Sequence, residues 1–363
     1  MENRDLKDFI ETASSVSPFR VENDFGGGYV RLRSEEAERR QAIHDIRSSE
    51  DVVIEALRNS RDAHAHSIFL AVSKEGDERK ILLIDDGDGV PPYMHKHIFE
   101  PRVTSKLDSA HLDKWGVHGR GMALYSISVN CKQARIAASD QGLGAAFEFV
   151  VSTSSLGEKA DQSTFPTFEL TDTGKVQVRG PKNILRTACE FAVDSADTCT
   201  VYFGSPGEIA ATLYIFSLAT LPAVVRAFGD DPESLPVCKR LGLASDPASF
   251  RFLASNLGFS LSERTCRRVL DGQIAPVEPL TARIEIKGMP SSDRKPRRQK
   301  KSRLKALDAR GLSIETNDLA SFKSAVKQAY GDLARDYYLI ADVEPEVVVR
   351  KDRIVVSIPV EKI

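Results

Sequence analysis

Glu55 and Asn59 stand four residues apart in the stretch EALRNSRDA, so on a helix a carboxylate and an amide face one ligand from successive turns. Asp62 and Ala63 follow on the same face. Polar side chains on a helix otherwise rich in apolar residues need a reason, and a solvated helix face is the plain alternative to a ligand site. A second group is Asp85-Asp86-Gly87-Asp88-Gly89, directly after the apolar run KILLI. A carboxylate at such a strand end can accept a hydrogen bond from an exocyclic amine, and the glycines permit sharp turning and close backbone approach. An Asp-rich calcium loop competes for this segment. The EF-hand spacing is absent, since position 12 counted from Asp85 or Asp86 is Lys96 or His97. A third group, Gly116-Val-His118-Gly119-Arg120-Gly121-Met122, reads as the opening of a helix. Free N–H groups and the helix dipole there suit an anion such as phosphate. No GK[ST] follows, so it is not a Walker loop, and no βαβ unit of the required spacing precedes it.

The elements that must position these groups can be read from periodicity. Apolar residues at helical spacing from Val52 to about Ala65 predict a helix, with Ser48, Ser49 and Asp51 as cap candidates; Val53, Leu57 and Ser60 lie on one side. SIFLAVSK, the turn EGDER and KILLI predict a β-hairpin that delivers Asp85. Residues 90–115 read as loop and short helix, and 116–130 as glycine-rich turning helical. ARIAAS and AAFEFVV predict two strands, Thr198 to Phe203 another, and 281–288 a further strand. Residues 207–275 read as mostly helical, 317–339 as one amphipathic helix, and the C-terminal VEPEVVVRKDRIVVSIPV as a hairpin.

Taken together, ExxxN–x2–DA, DxGxG and GxxGxG within 67 residues resemble the GHKL ATPase superfamily of gyrase B, MutL, heat-shock chaperones of the ninety-kilodalton class and sensor histidine kinases. The resemblance covers about residues 50–205. It implies an α+β chain with a GHKL (Bergerat) α/β sandwich that binds and hydrolyses ATP with Mg²⁺. By position, it implies Glu55 as the general base that activates water, Asn59 as the Mg²⁺ ligand, and Asp62 as a support of the adenine pocket. Asp85 would accept from the adenine amine, with Gly87 and Gly89 beside the base. Gly116, His118, Gly119, Arg120, Gly121 and Met122 would wrap the triphosphate in a lid, with Lys106 as a further phosphate contact. Thr198 would sit near adenine, although the usual Gly-Thr is Asp197-Thr198 here. Within the lid flank, Ile98-Phe99-Glu100-Pro101 resembles the histidine-kinase F region and Thr104-Ser105-Lys106 the lid of MutL.

Among superfamily branches, a sensor kinase requires a phosphoacceptor hairpin before the Glu55 helix. His44 stands only 11 residues ahead of Glu55, too close for a second hairpin helix. LASNLGFSLSERTCRRVLDG (253–272) is similar to the helix–two-turn–helix insert of the topoisomerase VI B subunit, and the segments after 280 resemble a shortened transducer. The expected organisation is an N-terminal extension and dimerisation strap (1–50), the ATP-binding domain (51–205), a helical middle region (206–278) and a small α/β transducer-like C-terminal region (279–363). A transducer lysine, Lys300, Lys301 or Lys305, would report the γ-phosphate. Between Arg294 and Lys305 eight of twelve residues are basic, so Arg297, Arg298, Lys300 and Lys301 are candidates for duplex DNA contact, or else form a solvated loop. The expected protein is an ATP-gated homodimer, the ATPase subunit of a topoisomerase VI-like complex whose DNA-cleaving or other effector subunit is separate. The alternatives are a histidine-kinase-like phosphotransferase and a MutL-like or defence-system clamp. No stretch reaches the roughly 20 apolar residues of a bilayer span, and MENRDLKDFIETASS lacks an apolar signal core. Five widely spaced cysteines form no CxxC, so neither a zinc knuckle nor a disulfide framework is expected, and the compartment is expected to be the cytoplasm without membrane contact.

Overall fold

The computed structural model describes residues 21–34, 36–105, 111–113, 116–118, 121–170, 176–228, 231–287, 316–337, 339–349 and 354–360. Lys106, Gly119, Arg120 and the whole basic segment with Arg297, Arg298, Lys300, Lys301 and Lys305 lie outside these residues. The chain divides into two compact units, 1–293 and 294–363.

In chain order the first unit holds β1 (Val21–Gly26), β2 (Tyr29–Leu32), α1 (Glu36–Asp45), α2 (Ser49–Asp62), β3 (Ser67–Glu75), β4 (Glu78–Asp85), β5 (Val103–Thr104), β6 (His111–Asp113), β7 (Gly116–His118), α3 (Ala123–Asn130), β8 (Gln133–Ser139) and β9 (Ala145–Ser152). It continues with β10 (Thr167–Leu170), β11 (Val176–Arg179), α4 (Ile184–Asp194), β12 (Thr200–Gly204), α5 (Pro206–Thr220), α6 (Ala223–Phe228), α7 (Pro247–Asn256), α8 (Glu263–Leu270), α9 (Leu280–Arg283) and β13 (Ile286–Lys287). A mixed five-stranded sheet, ordered β12-β3-β4-β9-β8, forms the centre; β12 runs parallel to β3 and the other pairs are antiparallel.

Side chains alternate across this sheet with the two-residue period of a strand. Ile68, Leu70, Ile81, Leu83, Phe147 and Phe149 pack on one face against α2, α3 and α4. Phe69, Ala71, Leu82, Ile84 and Ala146 pack on the other against α5, α7 and α8 and the segment 237–241. Both faces are buried, which is why β3 and β4 read as nearly unbroken apolar runs. The mostly helical region expected after residue 206 is therefore a second covering layer on the same sheet.

Several elements differ from the sequence reading. Residues 281–287 form no single strand: Pro279 caps the short helix α9, whose Leu280 is fully buried, and among these residues only Ile286–Lys287 extend, parallel to β10. Gly116–His118 is a strand paired with His111–Asp113, and the helix starts later, at Ala123. Within the N-terminal extension, β1 and β2 make a hairpin whose second strand pairs with β5. The strands β10 and β11 were also not expected. In the second unit, α10 (Thr316–Asp336) buries Tyr330 and Ala334, and β14 (Glu346–Val349) pairs antiparallel with β15 (Ile354–Ser357). Among the described residues no helix is long and apolar enough to cross a membrane.

Candidate nucleotide site

The helix α2 is started by Ser48, whose hydroxyl accepts from the Asp51 amide, with Glu50 and Asp51 favouring the positive end of the dipole. Val52, Val53, Ala56, Leu57 and Ser60 form its buried stripe. That choice of face leaves Glu55, Asn59 and Asp62 half-buried along one flank.

Ser60 is the polar residue in the buried stripe, and its partner is across the fold. Its hydroxyl donates to Asp85 Oδ2 at 2.7 Å, while the Gly87 amide donates to Asp85 Oδ1 at 3.0 Å. This bond ties the end of β4 to the helix that bears Glu55 and Asn59. Asp85 is 2% exposed, and desolvation pushes its carboxyl up to about 6 against the lowering effect of Ser60 and of the Gly87 and Ala145 amides.

The neighbouring acids do other work. Asp86 Oδ1 accepts from the His66 and Ser67 amides, both at 2.7 Å, and so pins the start of β3. Asp88 meets His64 Nδ1 at 2.8 Å, and its amide donates to Ala63 O at 2.8 Å. The two glycines of this turn answer to the chain itself. A Cβ on Gly87 would lie 2.4 Å from Ala63 O, and one on Gly89, at φ +70°, would lie 1.9 Å from Asp140 O.

At the other end of the flank, Arg58 Nη1 donates to Glu55 Oε1 at 2.6 Å; the two side chains are 4% and 21% exposed. The next pair along the helix, Arg61 with Asp62, is looser at 3.4 Å, and the Arg61 guanidinium lies 5.8 Å from the centre of the Phe191 ring. Among the described residues no group of three His, Cys, Asp or Glu could hold a metal alone. A nucleotide-borne Mg²⁺ needs only one or two protein ligands beside phosphate and water, and the Asn59 amide one turn from Glu55 fits that demand.

Of the other sequence candidates, Gly116 and His118 lie in β7, and Gly121 and Met122 immediately precede α3, which packs on α2. Thr198 is exposed in the turn before β12, with its hydroxyl donating to Ser195 O at 3.0 Å. The flank before residue 105 is braced by the N-terminal hairpin. Arg31 bonds Glu100 at 2.7 Å, Phe25 lies tilted against His97 with ring centres 4.8 Å apart, and Val30 and Arg31 lie opposite Thr104 and Val103, while Arg102 pairs with Glu38 of α1. The reading by motif singled out neither Ser60 nor Arg58 for a role. Ser60 was visible as a hydroxyl on an apolar stripe, and Arg58 as a cation at ion-pair spacing from Glu55.

Residues 46–177, about a third of the chain, match the family described as histidine kinase-, DNA gyrase B-, and HSP90-like ATPase. The chain is also 42% identical over 79 residues to the DNA mismatch repair protein MutL of Clostridium botulinum Type A, and 39% identical over 79 residues to that of Limosilactobacillus reuteri. Each match covers 21% of this chain and only 12% of the relative's length. The family match and the partial likeness to MutL together support a GHKL-type, ATP-binding ATPase domain in residues 46–177.

Proposed function

We propose that this chain binds ATP with Mg²⁺ at the flank of α2, hydrolyses it, and uses the cycle to open and close a homodimer that acts on DNA. The observation that carries the reading is the buried Asp85 carboxylate, hydrogen-bonded to Ser60 on the helix whose next flank presents Glu55 and Asn59. The adenine amine donates to Asp85. Asn59 would hold Mg²⁺, which supplies charge neutralisation at the phosphates. Glu55 takes the proton of the water that attacks the γ-phosphorus as the bond to the bridging oxygen breaks, releasing ADP and phosphate. The glycine segment 116–121 with Met122 and His118, and the cations Lys106 and Arg120, would line the phosphate side. Thr198 is the least supported member of the set, since its hydroxyl is spent on its own turn.

The finer role has two readings. A topoisomerase VI B-like subunit with a separate cleaving partner is supported by the resemblance of 253–272 to the helix–two-turn–helix insert and by the basic run 294–305. A MutL-like clamp is favoured by the local identity to MutL. ATPase rate and oligomeric state, measured with and without duplex DNA across a salt series, test both. DNA-stimulated turnover that fades steeply with salt, and relaxation of supercoiled DNA by a co-expressed partner, support the topoisomerase-like role. Slow turnover with ATP-dependent dimerisation and no relaxation supports the clamp. Absence of nucleotide binding overturns the proposal as a whole.

A further inference from the structure

On the proposed reading of Glu55 as the general base, we infer that Arg58 is a positioning residue that restrains it, so that turnover is held below what the carboxylate alone would support. Arg58 is 3% exposed, on the flank of α2 that it shares with Glu55 and away from the apolar stripe of Val52, Val53, Leu57 and Ser60. A guanidinium so placed requires nearby anionic charge, because burial of a charge without a partner is strongly unfavourable. Glu55 supplies such charge at 2.6 Å, from a position open enough to meet a ligand.

The same carboxylate cannot serve both purposes without conflict. When Glu55 takes a proton from water, its negative charge is erased while Arg58 remains cationic and buried. Proton uptake therefore works against the ion pair, and a neighbouring cation makes the carboxylate a poorer acceptor. Binding of nucleotide does not demand this change, since Glu55 stays ionised until the chemical step. The restraint consequently falls on kcat and leaves KM largely alone.

The test compares steady-state ATP hydrolysis by the full chain with that of Arg58→Met, Arg58→Lys, Glu55→Gln and the Arg58→Met/Glu55→Gln double variant. Arg58→Met removes the charge at similar length; it is expected to raise kcat about three- to tenfold with KM within about twofold. Arg58→Lys restores a charge and pulls the rate back toward that of the natural protein. In the Glu55→Gln background the Met substitution changes nothing, because the group it acts through is gone. A folded Arg58→Met protein whose kcat equals or falls below that of the natural chain overturns the inference, as does an equal gain in the Glu55→Gln background. If the Met variant melts below the assay temperature, Arg58→Gln carries the same comparison. Failure of the underlying reading shows separately, as undiminished turnover by Glu55→Gln itself.

Discussion

Asp85 and Glu55 are carboxylates at two ends of the proposed site, and they are held in opposite ways. Asp85 is buried and receives its hydrogen bonds from uncharged donors, the Ser60 hydroxyl and the Gly87 amide. Those donors fix its orientation but leave desolvation as the largest influence on its proton affinity, which rises. Glu55 is half-exposed and shares an oxygen with a buried guanidinium. The contrast separates two jobs. A carboxylate that reads a base needs shape and a dry wall, at the expense of some ease of ionisation. A carboxylate that must accept a proton is governed by the charge of its neighbour.

The largest effect that could break this comparison is on chemistry. Glu55→Gln keeps the size of the side chain and removes the acceptor, so turnover should fall on the order of 10²–10⁴-fold while ATP binding changes little. Rapid-quench turnover alongside equilibrium binding measures both. A parallel loss of binding would mean that Glu55 holds nucleotide and does not act as base.

Asp85→Asn should produce the reverse pattern. It would replace the proposed charge-assisted hydrogen bond to the adenine amine, worth roughly 1.5–3 kcal/mol, so ATP affinity should fall about ten- to hundredfold. The unliganded protein should become more stable, by on the order of 1–3 kcal/mol at neutral pH, because a buried ionised group with its carboxyl at about 6 is replaced by a neutral one. Calorimetric binding and thermal melts on one sample check the pair. A variant that loses affinity by unfolding would contradict the neutral-donor description of this end.

Legibility from sequence followed the range of each interaction. The helix α2 and the hairpin β3–β4 were readable because their periods are local, and the motif spacing that made Glu55, Asn59 and Asp85 candidates is local too. The bond from Ser60 to Asp85 joins residues 25 positions apart, so the hydroxyl was visible on the apolar stripe but its partner was not. Gly87 and Gly89 suggested room for a ligand, whereas the close approach seen is to Ala63 O and Asp140 O of the chain itself. The β1–β2 hairpin was missed because its strands are short and polar and take part of their support from β5, some seventy residues on. The alternation TARIEIK suggested a strand at 281–288, yet Pro279 and the burial of Leu280 favour a helical turn first.

Acidity gives a smaller effect with a definite sign. The folded-state proton affinity of Asp85 is raised, to about 6 from 3.8, so its contribution to stability is fully present below about 3.8 and is lost as pH rises through 6. Binding runs the other way: only the ionised carboxylate accepts from the adenine amine, so ATP affinity should hold above pH 7 and fall up to about tenfold per unit below 6. A purine nucleotide with a carbonyl in place of that amine should bind better as pH falls, since a protonated Asp85 can donate. Melting temperature and binding measured from pH 5 to 8 should therefore show opposite slopes, both flattened in Asp85→Asn. Equal slopes in that variant would assign the pH dependence to another group.

Ser60→Ala isolates the hydroxyl. It deletes one neutral donor to the ionised form of Asp85 while leaving burial in place, so the carboxyl should move further up and the pH midpoint for ATP binding should rise with it. A lost hydrogen bond of about 1 kcal/mol would raise the midpoint by about 0.7 unit, so affinity should fall roughly fivefold below pH 6, less than about twofold at pH 7, and hardly at all at higher pH where Asp85 is ionised in either protein. That dependence separates the hydroxyl's electrostatic influence from a purely positional one, which would lower affinity by the same factor at every pH. An unmoved midpoint in binding titrations would mean that burial and the Gly87 and Ala145 amides set the ionisation of Asp85, and that Ser60 only ties the strand end to α2.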